Sequence, residues 1–120
     1  MTASQSVKNI AAVELCPVVG TIRALGSEAK LIVIRYLSMK GMGFNDLLRA
    51  TSLNSKTLSK TLKSLETDGI VVREVISIRP FKVRYTLAPK GQDLGPMLDA
   101  MGSWGKKWLE AMDGQEIIGR

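Results

Sequence analysis

Lys56, Lys60 and Lys63 recur at intervals of four and three residues within the stretch NSKTLSKTLKSLETDG, which begins at Asn54. On a helix turning about 100° per residue they share a sector roughly 60° wide, and Leu58, Leu62 and Leu65 fall on about the opposite side. Such a helix packs by one face and presents ammonium groups on the other. No acidic residue interrupts it before Glu66, and a row of ammonium groups suits the neutralisation of phosphates. Asn54, Ser55, Thr57 and Ser59 open the same stretch. Their short polar side chains can reach base edges or phosphates without blocking close approach. Three lysines are also what an ordinary solvated helix face carries, so their meaning depends on what flanks them.

A second cationic group follows in Arg73, Arg79, Lys82 and Arg84. Arg79 lies beside Pro80 between two β-rich runs, where an exposed tip would let it and Lys82 enter a minor groove or follow a phosphate backbone. Arg73 and Arg84 are equally suited to cross-strand ion pairs and to nucleic-acid contact. The single cysteine, Cys16, precedes Pro17. A helix dipole there favours thiolate and hence a redox or electrophile sensor, whereas the nearby Glu14 opposes it and a buried free cysteine serves as a small apolar side chain. Both readings of Cys16 stay open. With one cysteine and no histidine, intrachain disulfides, cysteine-based zinc sites and Ser-His-Asp chemistry are excluded. No glycine-rich phosphate loop or convincing carboxylate pair stands in for them, so no enzyme, metal or cofactor is expected.

The elements that must position these residues are legible in order. Pro17 suits a first helical turn, and Val18, Ile22 and Leu25 recur at helical spacing up to Gly26. Ser27 and Glu28 then open a helix through Leu31, Ile32, Ile34 and Leu37 to about Met39, ended by Gly41 and Gly43. Phe44, Leu47 and Leu48 predict a short helix, Thr51-Ser52-Leu53 a tight turn, and Asn54 the cap of the longer lysine-bearing helix, which ends at Asp68-Gly69. Short helix, turn, longer helix is the helix-turn-helix outline. From Ile70 the period changes, with strands at Val71–Ile76 and Lys82–Leu87 and a loop over Ser77–Phe81, a small hairpin or wing. A last helix is expected to open at Pro89 and run unbroken along the apolar stripe Leu94, Met97, Leu98, Met101, Trp104, Trp108 and Met112.

That stripe is longer than one small core needs, and two exposed tryptophans would be costly in water. Leu94, Leu98, Met101, Trp104 and Trp108 are therefore assigned to a homodimer interface, with Gly91, Gly95, Gly102 and Gly105 allowing another helix to approach closely. The competing reading folds both tryptophans back onto their own domain.

At 120 residues, with 45% hydrophobic and 23% charged residues, the chain is long enough for one domain with a real core and is unlike a disordered chain. Within it, residues 1–15 are expected to form an arm or short helix, 16–88 the winged helix-turn-helix, and 89–120 the dimerisation helix and tail. The net charge of +6 and pI near 9.7 suit a polyanionic partner or an anionic membrane. No apolar stretch approaches the roughly 20 residues of a membrane span and the opening residues do not read as a secretory signal, so a cytoplasmic location is expected.

Taken in this order, Cys16-Pro17-Val18, Gly26-Ser27-Glu28-Ala29-Lys30, Phe44-Asn45-Asp46-Leu47, the run from Leu58 through Val71, Val83-Arg84-Tyr85-Thr86-Leu87 and Trp104-Gly105 resemble the HxlR-type (DUF24) winged-helix regulators of bacteria and archaea, related to the MarR group. The resemblance spans about Leu15 to Met112. It implies an α+β winged helix-turn-helix fold, a homodimer built from terminal helices, palindromic double-stranded operator DNA, and transcriptional control, often as a repressor. In some members a cysteine matching Cys16 senses oxidants or electrophiles. Two positions depart from the family pattern: Ala29 replaces a common aromatic, and Ala88 replaces a common hydroxyl N-cap, which weakens the start of the last helix. The alternative is a winged-helix protein-interaction module whose basic face docks an acidic partner.

Overall fold

A computed structural model describes residues 16–118, with side chains described as far as Leu109. The expected arm at residues 1–15 and the side chain of Met112 lie outside the described residues. Helix α1 spans Pro17–Leu25, α2 Glu28–Leu37, α3 Phe44–Thr51 and α4 Ser55–Thr67. Strands β1 (Val71–Ile78) and β2 (Phe81–Leu87) follow, then α5 (Pro89–Gln92) and α6 (Gly95–Ile118).

Each boundary has a local cause. Pro17 sits in the first turn of α1, where its missing N–H costs nothing. Ser27 caps α2, its side-chain oxygen accepting from the Lys30 N–H at 3.3 Å. Ser52, at φ 61°, turns the chain out of α3. The Thr51 hydroxyl bridges that turn, donating to the Leu47 carbonyl at 2.7 Å and accepting from the Leu53 N–H at 3.3 Å. Gly69 ends α4 with φ 77°. Its N–H reaches the Glu66 carbonyl and the Ile70 N–H the Leu65 carbonyl, the paired bonds of a left-handed helix stop that also folds Ile70 against Leu65.

The core gathers one face from each element. Leu25, Val33, Ile34, Leu37, Leu47, Leu58, Leu62, Leu65, Ile70, Val71, Leu87 and Leu98 are buried together. At roughly 1.5–3 kcal/mol for each fully buried leucine-sized side chain, the seam of Leu58, Leu62 and Leu65 fixes the rotation of α4. Its lysine face is thereby held in water.

The hairpin is longer than the sequence predicts. Ser77 pairs with Lys82 and Ile78 with Phe81, which leaves only Arg79 and Pro80 as the turn, and an irregularity between Val75 and Ser77 absorbs the unmatched Ile76. A further single-residue bridge joins Met42 to Tyr85: each N–H donates to the other's carbonyl, at 3.0 and 2.8 Å. The base of the wing is thus tied to the segment just before α3.

The expected unbroken last helix is corrected. The chain stops at Gln92, turns through Asp93-Leu94, and restarts at Gly95. Pro96 explains the break: inside a helix its ring would clash with the carbonyl four residues back and it offers no donor, whereas the first turn of a new helix tolerates it. Arg35 on α2 meets Asp99 on α6 at 3.0 Å, and the stripe then divides. Leu98 is buried in its own core and Leu94 and Met97 pack against it, while Met101, Trp104 and Trp108 are about half exposed. Leu98 is therefore corrected from an interface to a core residue, because α6 is still in contact with the body at that point, while Leu94 in the turn before α6 is partly buried. Gly91 is corrected too: it is buried against the Ile70 carbonyl of its own chain. No described helix is long and apolar enough to cross a membrane.

Candidate nucleic-acid interface

Helix α4 carries the densest group of candidate residues. Lys56, Lys60, Lys63, Ser55 and Ser59 are exposed, Thr57 is half-buried, and Leu58, Leu62 and Leu65 are sealed beneath. Thr61, a buried polar residue on the leucine side, was not singled out by the sequence pattern; its methyl lets it pass as apolar at that spacing. Asn54 has two roles to divide. Its Oδ1 accepts from the Thr57 N–H at 2.8 Å, capping the helix, which leaves its amide nitrogen as the group able to donate elsewhere.

The wing supplies the second group. Arg79 lies in the two-residue turn and Lys82 just after it, both exposed. Ile78 and Phe81, 75% and 62% exposed, flank Arg79 and Pro80. The wing tip therefore carries an exposed apolar pair beside Arg79, both residues lying in the strands and not in the loop expected over Ser77–Phe81. Arg84 and Glu74, directly opposite in register, form a cross-strand ion pair at 3.6 Å. Arg73 faces Tyr85 instead and makes no ion pair among the described residues. The two arginines that sequence alone left equivalent are thus distinguished by the residue across the strand.

Cys16 caps α1 through its backbone, its carbonyl accepting from the Val19 and Gly20 N–H groups at 3.0 and 3.3 Å, and its thiol is free and half-buried. Beside α1 an open apolar groove of about 480 Å³ is lined by Val18, Ile22, Leu25, Leu31, Met97 and Met101. Val18 and Ile22 are more than half exposed in it, and of the three residues at helical spacing only Leu25 is buried. Trp104 and Trp108 extend the same apolar line along α6, with the Lys107 ammonium 5.2 Å from the Trp108 ring.

Residues 24–113, which take in the helix-turn-helix, the wing and most of α6, match the family model for the HxlR-like helix-turn-helix. The chain belongs to the HxlR-like helix-turn-helix family. Among HxlR-like relatives, YdzF of Bacillus subtilis, an uncharacterized HTH-type transcriptional regulator, is 37% identical over 87 residues, covering 71% of this chain and 80% of its own. A regulator of the same description from Methanothermobacter thermautotrophicus is 33% identical over 95 residues, 78% of this chain and 72% of its own. In solved structures the fold recurs in the redox regulator HypR in its reduced form, with a TM-score of 0.75 at 32% identity over 82% of this chain and 99% of that one. It recurs also in the reduced form of the transcriptional regulator YodB from Bacillus subtilis, with a TM-score of 0.71 at 30% identity over 80% and 96%. The two-stranded wing and long C-terminal helix are thus the HxlR-like form of a MarR-like winged fold.

Proposed function

We propose that this protein is a homodimeric, sequence-specific DNA-binding transcriptional regulator, acting as a repressor on palindromic operator DNA in the cytoplasm. The observation that carries the reading is the rotation of α4: its leucine seam is locked into the core, so that Lys56, Lys60 and Lys63 stand together in water on the second helix of a helix-turn-helix. In this reading α4 enters the major groove, the lysines neutralise phosphates, and Asn54, Ser55, Thr57 and Ser59 approach base edges. Arg79 and Lys82 bring the wing to the adjacent minor groove or its backbone. Residues 16–88 form the DNA-binding part and residues from 89 onward the dimerisation part.

The dimer is supported by the apolar groove between α1 and α6 and by the exposed Met101, Trp104 and Trp108 that prolong it, since a surface of that kind on a folded chain calls for a cover. A second copy meets the same need on both sides at once and sets two α4 helices about one DNA turn apart. Binding to the DNA upstream of its own gene, measured by mobility shift across a salt series with the mass in solution measured alongside, tests the reading. A salt-sensitive shift by a dimer is expected; a dimer with no salt-sensitive shift would favour docking to an acidic protein.

Sensing through Cys16 belongs to the same proposal, supported by the likeness to HypR and YodB, the first a redox regulator and the second solved also in diamide-treated and quinone-bound forms. DNA affinity before and after diamide or a quinone, compared with Cys16→Ser, decides it. Equal responses in the two proteins would end the sensing role.

A further inference from the structure

Between the N-terminal turn of α3 and the wing lies an open cleft of about 610 Å³, apart from the lysine face of α4 and reaching to the wing tip at Phe81 and Lys82. Asp46 and Arg49 reach it from α3, Arg73 from β1 and Lys82 from β2. Three cations from two parts of the chain therefore meet a single carboxylate. Arg49 is engaged with that carboxylate, Asp46, one helical turn away, whereas Arg73 and Lys82 have no ion pair among the described residues. The wall continues through Gly43, Asn45 and the apolar or aromatic Phe44, Phe81, Val83 and Tyr85, and Gly43, as N-cap, supplies no side chain to the first N–H groups of α3. Two unpaired, exposed cations beside an open cleft raise the local positive potential and so favour an anion there.

The place of the cleft identifies the anion. If α4 occupies a major groove and the wing the next minor groove, one sugar–phosphate strand must pass between them, because a strand is what separates the grooves. The cleft opens between the wing and the helix that immediately precedes α4. We propose that it seats a phosphate of that strand, with Arg73 and Lys82 as its direct partners and Arg49 recruited from Asp46. This rests on the DNA-binding reading above and adds to it a contact remote from the recognition helix. It also assigns Asp46 a part: its carboxylate holds Arg49 in the free protein and opposes the incoming phosphate, so it restrains affinity.

The test uses the full chain and a random-sequence duplex about three helical turns long, since non-specific binding is phosphate-driven and needs no knowledge of the operator. Arg73→Gln should lower the log-log salt slope by about 0.9 for each protomer, or about 1.8 for a dimer. Asp46→Asn should tighten binding several-fold at low salt, a gain that a purely structural role for Asp46 would not produce. A folded Arg73→Gln protein with wild-type slope, or an Asp46→Asn protein with unchanged or weaker binding, would overturn the proposal while leaving the DNA-binding reading intact. Absence of any salt-dependent binding by the wild type would instead remove that reading, and this one with it. Binding of inorganic phosphate to the wild type that is lost in Arg73→Gln but leaves DNA affinity unchanged at fixed ionic strength would overturn the assignment to DNA in favour of a free-anion site.

Discussion

Gly91 stands so close to the Ile70 carbonyl that a Cβ built on it would lie 2.5 Å from that oxygen and 3.0 Å from the Ile70 Cγ2. The same carbonyl accepts the Ala88 N–H at 2.9 Å. One backbone oxygen just past the end of α4 therefore organises the start of the C-terminal segment, and the neighbour in the way is backbone, which cannot swing aside. Gly91→Ala should destabilise the protein by about 1–3 kcal/mol through overpacking, read as a lowered midpoint of urea unfolding. Gly102→Ala, at a position with nothing within 4 Å of the added methyl in the protomer, should leave protomer stability unchanged or slightly raised.

Ala88 occupies the N-cap of α5 with extended backbone and no side-chain cap. Its carbonyl already accepts from Gly91 and Gln92, so the geometry of a cap is present without the oxygen that would complete it. Ala88→Ser should stabilise the fold by roughly 0.5–2 kcal/mol, the usual range for gaining a cap. Thermal unfolding of the two proteins side by side reads the difference, and a midpoint at or below that of the wild type would contradict it.

Lys60 is exposed and is the middle of the three α4 lysines along the chain. If it neutralises one phosphate per protomer, Lys60→Ala should reduce the log-log salt slope of DNA binding by about 0.9 per contact, or about 1.8 per dimer, with little dependence on sequence. Ser59→Ala should act the other way, changing preference among DNA sequences and sparing the slope. An unchanged slope in Lys60→Ala would place the phosphate contacts elsewhere.

Trp104 is 59% exposed and Trp108 49% exposed in the protomer. Truncating Trp104 to alanine should therefore cost little protomer stability, yet weaken a dimer built on α6 by about 2 kcal/mol or more if the ring is a central anchor, close to thirty-fold in the dimer dissociation constant. Sedimentation equilibrium across a concentration series measures it. Equal dissociation constants would move the interface off this helix.

The sequence alone determined the helices, their facing and the change to strands, because these depend on neighbours within one or two turns. Spacings of three and four placed Leu58, Leu62 and Leu65 opposite Lys56, Lys60 and Lys63, Asn54 and Gly69 marked the ends, and strict alternation after Lys82 announced a strand. Pro96 was also there to be read as a helix break, but the apolar stripe running through it concealed the signal. Tertiary structure decided whatever depended on a partner distant along the chain: Met42 bridging to Tyr85, Gly91 fitted against Ile70, Leu98 turned inward while Trp104 stays out. It also separated Arg73 from Arg84, since only strand register sets Glu74 opposite one and Tyr85 opposite the other. Periodicity records which way a side chain points from its own helix or strand; what it meets there is fixed by how the elements pack in space.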